Sequence, residues 1–318
     1  MIVLANDGIS EKGITVLEQA GITVLNSRIS PDNLAKFINE NNVDVLLVRS
    51  ATQVRQNLID ECPNLKIIGR GGIGMDNIDV KYAADKGIFV INTPKASCKS
   101  VAELVFAHFF SLARFLHESN RMMPLEGESQ FNVLKKSYQN AAELSEKTLG
   151  VIGMGNIGQE VIKIGISLGM NILAYNRTPK SINPKLTFFD GQSLNFEIKS
   201  TDLDEVLKNS DFISINIGKT DCYLIDSLEF EMMKKGVFIA NTARGGVISE
   251  SALIAAIENG KVAGAALDVF EKEPNPEIEI LMNPALSLSP HVGGNTIDAQ
   301  DRIGTELAEQ IINLKDQI

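Results

Sequence analysis

The chain has 318 residues, 44% of them hydrophobic and 22% charged, which is the composition of a soluble globular protein and too long for one ordinary core, so two domains are expected. A formal net charge of −10 excludes non-specific nucleic-acid binding, which needs a basic surface. The scattered cysteines Cys62, Cys98 and Cys222 have no metal-ligand spacing and cannot form a full disulfide framework, so no metal centre is expected and a reducing compartment is.

The N-terminus, Met1-Ile2-Val3-Leu4-Ala5-Asn6, lacks the basic region and long apolar stretch of a signal peptide. It reads as a first strand, which places the protein in the cytoplasm. Strands are predicted at 2–5, 22–26, 43–48, 66–69 and 89–92, with helices at 12–19, 31–40 and 56–61 between them. Ser30 before Pro31 fits an N-cap followed by proline at the first helical position. Strands alternating with helices imply a parallel sheet with helices on both faces.

The stretch 100–116 is apolar nearly all the way round, with Phe106, Phe109, Phe110, Leu112 and Phe115. Such a helix must be buried on most sides, between domains or at a subunit interface. Glu103, His108 and Arg114 interrupt it, and it is too short to span a membrane. Residues 121–145 read as a polar, irregular arm or long loop. A second alternating series follows, with strands at 149–152, 171–175, 212–216, 237–241 and 264–266. Residues 293–314 then read as a terminal helix with Ile303, Leu307, Ile311 and Ile312 on one face. The expected fold is α/β, two doubly wound domains, the first made discontinuous by the returning terminal helix.

The run at 149–152 ends in Gly153-Met154-Gly155-Asn156-Ile157-Gly158. A lone G-x-G-x-x-G is weak, but here it follows a strand and opens a helix, the setting that gives the motif meaning. Gly153 permits the tight turn, Gly155 lets backbone approach a pyrophosphate, and Gly158 lets helix and strand pack closely. The helix N-terminus, at Asn156 and Ile157, offers unpaired N–H groups to phosphates. At the end of the next strand an acid usually meets the ribose hydroxyls of NAD, whereas an Arg accommodates the 2′-phosphate of NADP. This chain has Tyr175-Asn176-Arg177-Thr178. Either Arg177 admits NADP, or Arg177 faces solvent and Asn176 alone meets the ribose.

Three residues in the last quarter supply acid–base chemistry. Arg244 follows a strand and precedes Gly245-Gly246; a guanidinium binds a carboxylate with two parallel hydrogen bonds and polarises an adjacent carbonyl. Standing alone, it would read as an ordinary surface ion pair. His291, between Pro290 and Gly293-Gly294, can exchange a proton near neutral pH. His108 and His117, on or beside the apolar helix, read as packing or surface residues. A carboxylate beside His291 would favour the imidazolium that donates to a carbonyl oxygen. Glu273 and Glu271 both qualify, and residue physics leaves the choice open. Asp268 ends an apolar run and either binds cofactor or caps the following turn.

These segments together resemble the D-isomer-specific 2-hydroxyacid dehydrogenases, and among them most closely the D-3-phosphoglycerate dehydrogenases. The matching stretches are VRSAT (48–52), GRGGIGMDNID (69–79), GIFVINTP (87–94), SVAELV (100–105), KTLGVIGMGNIGQEV (147–161), NTARGGVI (241–248), GAALDVFEKEP (264–274) and SPHVGGNT (289–296). They span nearly the whole chain in family order. The resemblance implies a flavodoxin-like substrate domain, 1–95 with 290–318, into which a Rossmann cofactor domain, 96–289, is inserted. It implies NAD, with NADP admitted, as cofactor, and a catalytic set of Arg244, Glu273 and His291, choosing Glu273 over Glu271. It adds Thr242, Ala243, Asp268 and Gly293 to the cofactor contacts, Asp268 at the nicotinamide end. The substrate is expected between the domains, against Arg49, Ser50 and the Gly72-Ile73-Gly74 backbone, which suit an anionic ligand.

Hydride transfer at C2 of a D-2-hydroxy acid is therefore expected, with D-3-phosphoglycerate at the head of serine synthesis as the substrate. An NADPH-dependent glyoxylate or hydroxypyruvate reductase is the alternative within enzymes, favoured by Arg177. A nucleotide-sensing corepressor is the alternative of another class, since fold does not dictate function. The segment Asn216-Ile217-Gly218-Lys219-Thr220 departs from the family's usual His-x-Pro pattern near the adenine pocket. Lys135 and Lys136 resemble basic residues that reach a neighbouring subunit's site, although a solvated face explains them too. A homodimer without membrane or nucleic-acid partners is expected. So is a short form without a C-terminal regulatory domain, hence without serine feedback through one.

Overall fold

The computed structural model describes residues 1–317; Ile318, which closes the expected 290–318 segment, lies outside them. Two compact units emerge, one from Met1–Cys98 with Gly294–Ile318, the other from Lys99–Gly293.

The first unit holds strands β1 (Ile2–Ala5), β2 (Thr23–Leu25), β3 (Val45–Val48), β4 (Ile67–Arg70) and β5 (Phe89–Asn92). They form one parallel sheet in the order β2-β1-β3-β4-β5, the flavodoxin-like order. All four residues of β3 are buried, as a central strand covered on both faces requires. One face carries Leu4, Leu46 and Ile68 with Leu34, Ile38 and Leu58 from helices. The other carries Val3, Val45, Leu47 and Ile67 beneath Leu17, Ile303, Leu307 and Ile311. Those last three come from the terminal helix, Ile297–Leu314. It starts four residues later than the sequence suggests, because Thr296 Oγ1 accepts from Ala299 N (3.1 Å) and caps it there. Ser30 stands at the N-cap of Pro31–Glu40 but makes no capping bond; its hydroxyl accepts from Asn33 Nδ2 instead (3.1 Å).

In the second unit the apolar helix runs Cys98–Ala113. Val105, Phe106, Phe109 and Leu112 enter the core, and Phe109 meets Phe212 edge-on at 5.2 Å. Burial is one-sided, however: Phe110 is 44% exposed. The expected irregular arm is instead a helix, Leu116–Ser137, with a non-helical residue at Gln130 (φ −121°, ψ 22°) and Pro124 inside. Leu134 is its buried residue, so no apolar stripe betrays it, while Leu, Met, Glu, Gln and Lys carry adequate helix propensity.

The strands of this unit are β6 (Thr148–Ile152), β7 (Asn171–Tyr175), β8 (Ser181–Ile182), β9 (Lys185–Thr187), β10 (Ser193–Asn195), β11 (Ile198–Lys199), β12 (Phe212–Ile215), β13 (Val237–Asn241), β14 (Val262–Leu267) and β15 (Leu286–Leu288). Six of them form a parallel sheet, β15-β14-β13-β12-β6-β7. Beyond β7, where a nucleotide-binding half carries a further strand, there is a single bridge, Tyr175 to Thr201. The preceding chain makes the antiparallel pairs β9–β10 and β8–β11. Strand order reverses between β6 and β12, the switch point at which such sheets bind ligands.

Candidate active site

The turn after β6 meets the demands of a dinucleotide cradle position by position. Gly153 has φ +98°, and a Cβ there would lie 2.5 Å from Asn216 O. A Cβ on Gly158 would lie 1.9 Å from Gly153 O, so the helix Asn156–Ser167 approaches the strand as only glycine allows. Around Gly155 the opposite holds: nothing stands within 4 Å of a Cβ. That open space faces the N-terminus of the helix, where N–H groups and the helix dipole favour an anion.

At the ribose end, Asn176 Oδ1 accepts from Met154 N (3.2 Å) and Asn176 Nδ2 donates to Thr178 O (2.8 Å). Its side chain thus ties the end of β7 to the glycine turn. Arg177 is exposed. Lys180, absent from the sequence reading, donates from Nζ to Met154 O (3.1 Å). Its signal was a second cation three residues past Arg177. Thr242 is buried, and its Oγ1 has no hydrogen-bond partner, a donor ready for a ligand. A nicotinamide dinucleotide fits this donor set: an open glycine turn, a helix N-terminus and an orphaned hydroxyl.

Arg244 follows β13 in a turn braced by Asn241, whose Nδ2 donates to Arg244 O (2.9 Å) and whose Oδ1 accepts from Ala243 N (3.1 Å). Arg244 Nη1 donates to Ala243 O (2.6 Å). A Cβ on Gly245 would stand 1.8 Å from Phe270 O, so this turn lies against the loop carrying the two glutamates. In that loop the carboxylates part. Glu273 Oε2 pairs with His291 Nδ1 at 2.8 Å, while its Oε1 accepts from Phe270 N (3.0 Å). Glu271 turns to Glu250: each carboxylate accepts from the other residue's backbone N–H, at 2.9 and 2.8 Å. The His291 and Glu273 side chains are 47% and 35% exposed.

Asp268 is 1% exposed. It accepts from Val292 N (2.8 Å), Gly293 N (2.9 Å) and Ser289 Oγ (2.6 Å). Asp268 thus caps the turn that carries His291. His108 proves to be more than a packing residue, being buried and bonded to two serines. His117 Nε2 meets Pro284 O (3.0 Å).

In the first unit, Arg49 and Ser50 follow β3. Arg49 N donates to Asp7 Oδ2 (2.7 Å), and its guanidinium reaches Asn295 Oδ1. Burial holds the Arg49 guanidinium below its ordinary value, opposed by Asp7. Asn77 Nδ2 donates to Arg49 O (2.8 Å), and Asn92 Nδ2 to Ile73 O (2.9 Å), holding the backbone from 72 to 74. Arg70, overlooked in the sequence, ends β4 in register with Val48. A Cβ on Gly72 would lie 2.2 Å from its Nη1. Two guanidinium-bearing residues therefore occupy neighbouring strand ends at one glycine loop. The signal for Arg70 is the string Gly69-Arg70-Gly71-Gly72 itself, a cation set among glycines.

A family model described as D-isomer specific 2-hydroxyacid dehydrogenase, NAD binding domain, matches residues 106–293. Hydroxypyruvate reductase of Thermotoga maritima is 42% identical over 318 residues, covering 97% of this chain and 96% of that protein. D-3-phosphoglycerate dehydrogenase of Methanocaldococcus jannaschii is 38% identical over 312 residues; the match covers 97% of this chain but 56% of that longer protein. Among solved structures, D-lactate dehydrogenase of Aquifex aeolicus, complexed with NAD and lactic acid, aligns with a TM-score of 0.74 at 27% identity, covering 100% of this chain and 96% of that one.

Proposed function

The chain belongs to the D-isomer specific 2-hydroxyacid dehydrogenases, an NAD-binding enzyme family, and from that footing we propose that it oxidises D-3-phosphoglycerate at C2 to 3-phosphohydroxypyruvate, the entry step of serine synthesis. The supporting observation is the pair Arg49 and Arg70 on adjacent strand ends. One carboxylate clamp suffices for any 2-hydroxy acid. Two further guanidinium groups suit a second, doubly charged anion, because each can bind phosphate oxygens with fixed fork geometry.

NAD, held at the Gly153–Gly158 turn and by the Thr242 hydroxyl, would supply the hydride acceptor for C2. Arg244 clamps the substrate carboxylate and polarises the C2 oxygen. His291 removes the hydroxyl proton through Nε2 during oxidation and returns it during reduction, since Nδ1 is committed to Glu273. Glu273 orients the imidazole and stabilises its charged form, while the Phe270 N–H steadies Glu273. Replacing His291 by Asn should lower kcat about 10²–10⁴-fold with NAD binding intact.

A steady-state matrix of NAD and NADP against phosphorylated and unphosphorylated three-carbon acids tests the substrate. The phosphorylated acid should give the higher kcat/KM, and Arg70→Ala should lower that value about 10–100-fold, the range for a lost charge-assisted bond. Equal or better use of hydroxypyruvate, unaffected by Arg70→Ala, would favour the second reading, hydroxypyruvate reduction. The Thermotoga maritima relative of matching length supports that reading.

We also propose a cytoplasmic homodimer joined through the helices Cys98–Ala113 and Leu116–Ser137, which expose the large apolar side chains Phe110, Leu125, Phe131 and Val133, a kind of surface that a partner can cover. Among the described residues, no helix is long and apolar enough to cross a membrane.

A further inference from the structure

His108 stands on the helix Cys98–Ala113 and is 6% exposed. Its neighbours Val105, Phe106, Phe109 and Leu112 all join an apolar layer. An aliphatic side chain would fill such a position without needing partners, and buried polar groups are costly unless fully satisfied. His108 is satisfied on both sides: Nδ1 lies 2.8 Å from Ser287 Oγ and Nε2 3.0 Å from Ser289 Oγ. Ser289 Oγ in turn donates to Asp268 Oδ1 at 2.6 Å.

The direction of this chain follows from chemistry. An ionised carboxylate only accepts. Ser289 therefore gives its proton to Asp268 and accepts from His108 Nε2–H, leaving Nδ1 to accept from the Ser287 hydroxyl. Burial disfavours a second proton on His108, with His117 adding to the effect and Asp268 opposing it. One tautomer is thereby selected.

What the chain braces is the turn at His291. That residue has φ +54°, a left-handed conformation that non-glycine residues rarely adopt. The next two N–H groups, Val292 and Gly293, both end on Asp268. We infer that His108 is a positioning residue for proton transfer: through Ser289 and Asp268 it holds the left-handed turn that aims His291 at Glu273. The inference rests on His291 being the proton carrier.

The test compares His108→Leu, His108→Gln, Ser289→Ala and the double variant His108→Leu/Ser289→Ala, with His291→Asn as reference. His108→Leu and Ser289→Ala should each lower kcat about tenfold, as small misplacements of a catalytic group do, with a smaller effect on the KM for the hydroxy acid. The double variant should fall no further than the worse single, because both break one linkage. His108→Gln keeps an N–H donor and should recover most of the rate. In the impaired variants the pH of half-maximal reduction should move down, as the imidazolium loses contact with Glu273; a purely structural residue would lower Tm and leave that pH in place. If His108→Leu does not fold, Ser289→Ala cuts the same link by one atom and decides the matter. Wild-type kcat and pH profile in Ser289→Ala and His108→Leu, with His291→Asn inactive, would overturn the relay and spare the proton carrier. Wild-type turnover in His291→Asn would overturn both.

Discussion

Replacing Gly155 and Gly158 separately by alanine divides the cofactor reading from the packing reading of one motif. At Gly155 the backbone is ordinary extended chain (φ −73°, ψ −165°), and nothing stands within 4 Å of the new methyl. The apo protein should gain about 0.4–1 kcal/mol from the stiffer unfolded chain. At Gly158 the methyl would sit 1.9 Å from Gly153 O, against a comfortable contact of about 3.5 Å. Helix and strand must separate, which costs about 1–3 kcal/mol or more and lowers Tm by about 2–4 °C per kcal/mol. Ligand binding behaves inversely. NAD at a hundred times its Kd stabilises the wild type by about 2.7 kcal/mol. If the pyrophosphate lies on this turn, the Gly155→Ala methyl would take up the open space it needs. A tenfold weaker Kd would cut that gain to about 1.4 kcal/mol at the same NAD concentration. Calorimetric titration and thermal unfolding with and without NAD read both effects. A wild-type NAD shift in Gly155→Ala would refute the placement of the pyrophosphate on this turn. An unchanged Tm in Gly158→Ala would refute the packing argument.

Glu273→Gln should move the pH profile of reduction to lower pH, since the imidazolium loses its charge partner, whereas Glu271→Gln, facing Glu250, should leave the profile in place; stopped-flow rates across pH separate them. Burial raises the Glu250 carboxyl above its ordinary value, the Glu271 N–H opposing and the Glu271 charge adding. The folded state thus holds that proton more tightly, so its contribution to stability is complete in acid and is lost as pH rises through the raised value. Glu250→Gln keeps the acceptor for Glu271 N and should flatten this decline, gaining stability relative to wild type at about pH 7 compared with about pH 4 in urea titrations. Arg177 and Lys180 are the cations beside Asn176. Replacing both by alanine should lower the NADP/NAD ratio of kcat/KM; an unchanged ratio would place Arg177 in solvent in the bound state too.

Local signals were readable in the chain. The parallel series of strands follows from short apolar runs split by amphipathic stretches, and the glycine turn is legible because its demands fall within six consecutive residues, Gly153 to Gly158. The helix Leu116–Ser137 was not legible: without a buried stripe, polar helix and polar loop have the same composition. Strand β15 is three residues long, shorter than any periodicity can mark. The rim of small pairs from β8 to β11 occupies a stretch in which the sequence shows only turn-formers and scattered apolar residues.

By itself, the sequence determined which residue types are available for the proposed chemistry, because a guanidinium, an imidazole and a carboxylate keep their chemical capacity in any fold. Partnership was decided by the tertiary structure. Glu271 and Glu273 are two positions apart and chemically identical, yet one faces Glu250 and the other His291. Which way each points depends on a loop pressed against Gly245 and on the N–H groups of Glu250 and Phe270. His108, 183 positions from His291 by their numbering, reaches the turn that carries His291 through Ser289 and Asp268. Hydrogen bonds act over about 3 Å of space, and no local pattern records which distant groups folding will bring within that range.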